Sequence, residues 1–102
     1  MKIHFFDSPV EKFIDSLERS TRAKIFRAID LLEMFGNKLG LPQSKKVDSR
    51  LFELRARGKQ EIRIFYTFHK DSAVLLHGFI KKSQHIPNRE LATARQKLSL
   101  LD

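Results

Sequence analysis

The chain has 102 residues, no cysteine and a formal charge of +8, so one domain over residues 1–102 with a single core is expected. The missing cysteines exclude a disulfide framework, a thiolate zinc site and a cysteine nucleophile. No apolar run is long enough to span a bilayer, and the N-terminus is too short and polar for a secretory signal, so a cytoplasmic protein without a membrane partner is expected. The positive excess attracts polyanions, of which nucleic acid is the commonest, although an anionic membrane surface or an acidic protein would satisfy the same charge.

Lys2–Phe6 is a short apolar-rich run that reads as an edge strand. Ser8 can cap a helix, Pro9 suits its first turn, and Glu11 can close a capping box. Val10, Phe13, Ile14 and Leu17 then form an apolar stripe at helical spacing. Ser20-Thr21 interrupts it, and Ile25, Ala28, Ile29, Leu32 and Phe35 resume the period until Gly36-Asn37. The pair reads as a helical hairpin that needs a sheet to cover. Residues 37–50 contain Gly40 and Pro42 and read as a basic loop carrying Lys45, Lys46 and Arg50.

Three strands follow, over 51–55, 61–68 and 73–80, separated by polar or glycine-containing turns. Side chains alternate across a strand, so parity sorts them into faces. Phe52, Leu54, Ile62, Ile64, Tyr66, Phe68, Val74, Leu76 and Ile80 make an even, apolar face. The odd face mixes Glu53, Arg55, Arg63, Thr67, His77 and Lys81 with Leu51, Phe65, Leu75 and Phe79, and reads as a basic, partly aromatic surface. Pro87 opens a last helix over about 88–100, with Leu91, Ala94, Leu98 and Leu101 on its apolar side. The order indicates an α+β domain: an antiparallel twisted sheet of about four strands, an N-terminal helical hairpin and a C-terminal helix.

Arg55, Arg63 and Lys81 share a parity on adjacent strands and could converge on a phosphate; the alternative is a solvated basic face paired with Glu53 and Glu61. The carboxylates are scattered, the histidines lack HExxH-like spacing, and there is no glycine-rich phosphate loop, so no metal or cofactor is expected.

The ordered series Leu51-Phe52-Glu53-Leu54-Arg55, Ile62-Arg63-Ile64-Phe65-Tyr66, Leu75 to Gln84 and Pro87-Asn88-Arg89-Glu90-Leu91-Ala92 resembles the phage-derived branch of the RelE/HigB toxin family. The resemblance covers nearly the whole chain. It implies the RelE/ParE-like fold and a toxin of a toxin–antitoxin pair that cuts mRNA on the ribosome without a metal. It also implies a helix-turn-helix antitoxin as partner, with operator DNA contacted only through the antitoxin complex. Two other functions remain open: a ParE-like toxin acting on DNA gyrase, and a catalytically silent nucleic-acid or antitoxin binder.

On that resemblance Arg63, Lys81, His85 and Arg55 are the catalytic candidates, and Lys82, His77, Lys45, Lys46 and Arg89 the RNA-binding ones. The family motif carries over best to Arg63 and to Lys81-Lys82. Many family members place a Tyr or His near the start of the last helix; this chain has no Tyr there, and His85 is the candidate general acid. Tyr66 has core parity. Glu53 is either a base or the carboxylate that holds Arg55 or Arg63 in place. His77 is either a proton-transfer group or a packing residue beneath the last helix.

Overall fold

The computed structural model describes residues 1–101. Strand β1 spans Lys2–Phe5, helix α1 Ser8–Asp15 and helix α2 Arg19–Phe35, followed by a 3-10 turn at Gly36–Lys38. Strands β2 (Ser44–Asp48), β3 (Leu51–Arg57), β4 (Glu61–His69) and β5 (Ser72–Ile80) come next, and helix α3 (Asn88–Ser99) closes the chain. The five strands form one sheet in the order β1-β5-β4-β3-β2.

Two findings correct the expected sheet. The stretch read as a loop contains β2, an antiparallel edge strand on β3, so there are five strands rather than about four. Its exposed lysines and terminal Asp48 hide the strand period, as charged edge strands do. The sheet is also mixed, because β1 runs parallel to β5 after the chain crosses the sheet through the intervening elements.

Both faces of the sheet are covered. Val10 and Ile14 from α1, Leu17 from the link, and Ile25, Ile29 and Leu32 from α2 bury against Leu54, Ile62, Ile64, Tyr66 and Leu75. On the opposite face Leu51, Phe65, Val74, Leu76 and Phe79 bury with Ala94, while Leu91 and Leu98 of α3 pack alongside. The apolar part of the odd face is therefore a second core under α3, and only the end that carries Arg55 and Lys81 stays open. Each fully buried aliphatic or aromatic side chain contributes about 1.5–3 kcal/mol, enough to draw α3 over that face. The first two helices follow one another across Ser16–Glu18, α1 packing mainly on β5 and α2 on β3.

A bulge corrects the parity of β5. Phe65 opposes His77 while the next residue, Tyr66, opposes Leu75, so Leu76 is the extra residue. One inserted residue exchanges the faces of everything beyond it. Leu75 thus joins the core under α1 and α2, whereas Val74 and Leu76, expected there, join the core under α3.

Helix ends also differ by a residue or two. The α1 cap is Asp7, whose Oδ1 accepts from the Val10 amide at 3.2 Å, and not Ser8. Asp7 Oδ2 pairs with Lys97 at 2.9 Å, which ties the start of α1 to α3. Helix α2 begins at Arg19 with Glu18 at its cap, ahead of the expected Ser20-Thr21.

Gly78 lets α1 approach the sheet: a Cβ there would lie 2.5 Å from Phe13 Cδ2. Gly78→Ala should displace that ring and cost about 1–3 kcal/mol, as overpacking does. Urea unfolding midpoints check this, and an unchanged midpoint would mean the ring is not seated on the strand.

Candidate functional site

Strands β3 and β4 run side by side with Arg55 directly opposite Arg63 and Glu53 opposite Phe65. Like charges facing each other across a ladder repel, so this arrangement needs a counter-charge. Glu53 supplies it. Its Oε1 accepts from Arg55 Nε at 2.8 Å and lies 3.6 Å from Arg63 Nε. Arg63 also donates to Glu61 Oε2 and to the Ile62 carbonyl, each at 3.1 Å.

Arg63 is 1% exposed, one of the most buried side chains in the chain. Burial pulls its pKa below the usual guanidinium value, and the carboxylates of Glu53 and Glu61 pull it back up. An arginine stays charged through such shifts. Two atoms of this cluster lack a hydrogen-bond partner among the described residues despite being buried: Glu53 Oε2 and Arg63 Nε. Unpaired buried polar atoms are costly and call for an explanation.

Above this buried pair lies an open cavity of about 340 Å³. Strand β2 contributes Lys45, Lys46 and Val47, β3 contributes Glu53 and Arg55, and the loop after β5 contributes Lys81, Gln84, His85 and Ile86. The sheet places the first group; the Lys81 amide, bonded to the Glu61 carbonyl at 2.8 Å, anchors the start of the second. The bond from Ser83 Oγ to the His85 carbonyl, 2.9 Å, shapes the rest of the loop. Arg55, at 15% side-chain exposure, reaches the cavity with its Nε fixed by Glu53, which leaves its terminal nitrogens for an anion. Among the described residues Glu53 is the one carboxylate that lines the cavity, against Lys45, Lys46, Arg55 and Lys81, so the described lining is positive.

Five sequence candidates thus meet in one place: Arg55, Lys81, His85, Lys45 and Lys46. The Lys46 ammonium, however, lies 5.9 Å from the centre of the Phe52 ring, which packs against the other core, so its charge is drawn to that side. Arg63 is not among the lining residues. Its expected place on an open basic face is corrected by its burial: it braces Glu53 from below. Lys82 and Arg89 line a neighbouring cavity of about 430 Å³ on the far side of the same loop, beside Phe13 and Gly78. His77 joins neither cavity; its Nε2 pairs with Glu90 Oε1 at 2.9 Å and so fastens β5 to α3.

Tyr66 is buried as its parity implied, with its hydroxyl bonded to Ser44, and burial raises the phenol pKa above 10.0. Gln84 was missed from sequence. Its signal was its place in the Lys81-Lys82-Ser83-Gln84 run, but polar loop residues seldom betray their direction before the loop is folded.

Residues 12–99 match the family described as phage-derived protein Gp49-like. Over 74 residues the chain is 42% identical to a Mycobacterium tuberculosis protein named "Putative toxin HigB3", covering 68% of this chain and 64% of the relative. The resemblance read from Leu51 to Ala92 lies inside the matched family segment. With most of its length matched, this chain belongs to the phage-derived Gp49-like family.

Proposed function

We propose that this chain is the toxin of a toxin–antitoxin pair and that it cuts mRNA on the ribosome. The observation that carries the proposal is the cavity in which Arg55, Lys45, Lys81 and His85 surround Glu53. The similarity to the Mycobacterium tuberculosis relative supports the toxin role.

The reaction would use the 2′-hydroxyl next to the scissile phosphate as nucleophile. Its oxygen bonds to phosphorus as the bond to the 5′-oxygen breaks, leaving a 2′,3′-cyclic phosphate and a 5′-hydroxyl. Charge grows on the phosphoryl oxygens on the way. Arg55, held by Glu53, and Lys81 supply preorganised positive charge there. His85 donates a proton to the leaving 5′-oxygen. The 2′-hydroxyl proton passes to water, because Glu53 is buried beneath the cavity with its carboxylate engaged by Arg55 and Arg63. Arg63 touches no substrate in this scheme and acts by bracing Glu53.

The test is a cell-free translation reaction with added protein, followed by primer extension on the message. New 5′ ends that require ribosomes, and that disappear with His85→Ala, are the expected result. Intact message with blocked gyrase supercoiling would move the protein to the ParE-like function. Intact message with active gyrase would leave a silent binder.

The antitoxin is proposed to be a helix-turn-helix protein that presents an acidic surface to this +8 chain. Their association rate should fall about 10-fold or more between low and physiological salt, because steering by complementary charge is screened. Stopped-flow mixing at two salt concentrations measures it, and equal rates would exclude electrostatic steering.

A further inference from the structure

The basic cavity does not end at Arg55. A third cavity, of about 250 Å³, lies between α2 and β3, and Arg55 lines it as well. Lys24 and Arg27 of α2, Arg57 of β3 and Gln43 complete its polar wall, and among the described residues no carboxylate lines it. Lys24 and Arg27 stand three residues apart on one helix and so project from one face. Lys24 Nζ donates to the Arg57 carbonyl at 3.2 Å, which holds its charge at the mouth and leaves its other protons free.

The sheet explains why Arg55 lines both cavities. Pairing between β2 and β3 stops at Ser44 and Leu54, followed only by the bond from the Arg55 amide to the Gln43 carbonyl. Beyond that point Ala56 and Arg57 form an edge that β2 does not cover, so the two sides of the sheet meet around Arg55. Lys24, Arg27 and Arg55 are spaced along such an edge. Outside Arg55's own pair with Glu53, only Arg57 of the lining cations faces a carboxylate among the described residues, Glu61 at 3.8 Å. Such a run suits a ligand with repeated negative charges.

We infer that this second cavity binds the backbone of the same RNA strand, one or more nucleotides away from the phosphate held by Arg55 and Lys81. The inference rests on the proposed RNA-cutting site and adds that its ligand is a polynucleotide path bent round the sheet edge. Arg27 and Lys24 act there as binding residues, remote from the reacting atoms.

Equilibrium binding of a dinucleotide and of a ten-nucleotide single-stranded RNA, each across a salt series, tests it with the full chain. The wild type should bind the longer RNA more tightly and with a steeper salt dependence. Arg27→Ala should lower the slope for the longer RNA by about 0.7 and its affinity at 0.1 M salt roughly fivefold, the share of one released counterion on a single strand. Dinucleotide binding should not change, and Arg27→Lys should restore most of the loss. Arg27 is exposed on α2, so the fold should survive; matching thermal melts confirm that. If Arg27→Ala left the longer RNA's affinity and slope intact, or weakened both RNAs equally, the second subsite would be overturned. Arg55→Ala separates the two proposals: if it left dinucleotide binding unchanged, the primary site would fail while the length dependence still stood or fell on Arg27.

Discussion

Glu53→Ala should destabilise the chain by about 3–5 kcal/mol, the cost of leaving a buried charge without its partner. Glu53 is 1% exposed and its Oε1 faces both Arg55 and Arg63, so its removal strands the Arg63 guanidinium with only the half-exposed Glu61 and a carbonyl. Against a total stability of about 5–15 kcal/mol, that loss is a third or more in many domains of this size. Glu53→Gln keeps the shape and one acceptor, but a neutral amide offsets less of the positive charge, so an intermediate loss is expected. Urea denaturation followed by circular dichroism measures both. A Glu53→Ala midpoint equal to wild type would mean that water, not Glu53, neutralises the buried arginine.

Arg55→Ala should lower message cleavage about 10²–10³-fold, the usual loss when one preorganised donor to a developing oxyanion is removed. The fold should survive, because Arg55 is partly exposed and Glu53 still faces Arg63. Arg55→Lys should recover only part of the rate, since an ammonium keeps the charge but not the planar fork that Glu53 orients. Arg63→Ala would behave differently. Its burial makes it a bracing residue, so it should lose stability along with activity. Cleavage of a defined message on ribosomes, set beside unfolding midpoints, separates the two arginines. A folded Arg55→Ala protein that cuts at the wild-type rate would take Arg55 out of the reaction.

Much of this molecule was legible in the chain because the relevant signals are local. The 3.6-residue stripes in Val10–Leu17 and Ile25–Leu32 became α1 and α2, and the alternation from Leu51 to Ile80 became β3, β4 and β5. The cations Lys45, Arg55 and Lys81, with His85, could be singled out by residue type and by the resemblance around them, and they do line one cavity. What parity could not determine was which face a cation would share with a covering helix. Arg63 has the same parity as Arg55, yet Arg63 lies in the central strand β4 under α3, while Arg55 lies next to the edge, where β2 runs out. Depth in a sheet depends on strand order, and strand order depends on pairings between distant residues. The bulge at Leu76 is of the same kind: nothing in Leu75-Leu76-His77 announces it, because it arises only when β5 is aligned on β4. Local periodicity therefore determined the elements and the chemical types available to the site. Tertiary pairing decided which cations face the cavity and which are spent holding Glu53 in place, since burial is a property of neighbours and not of a side chain alone.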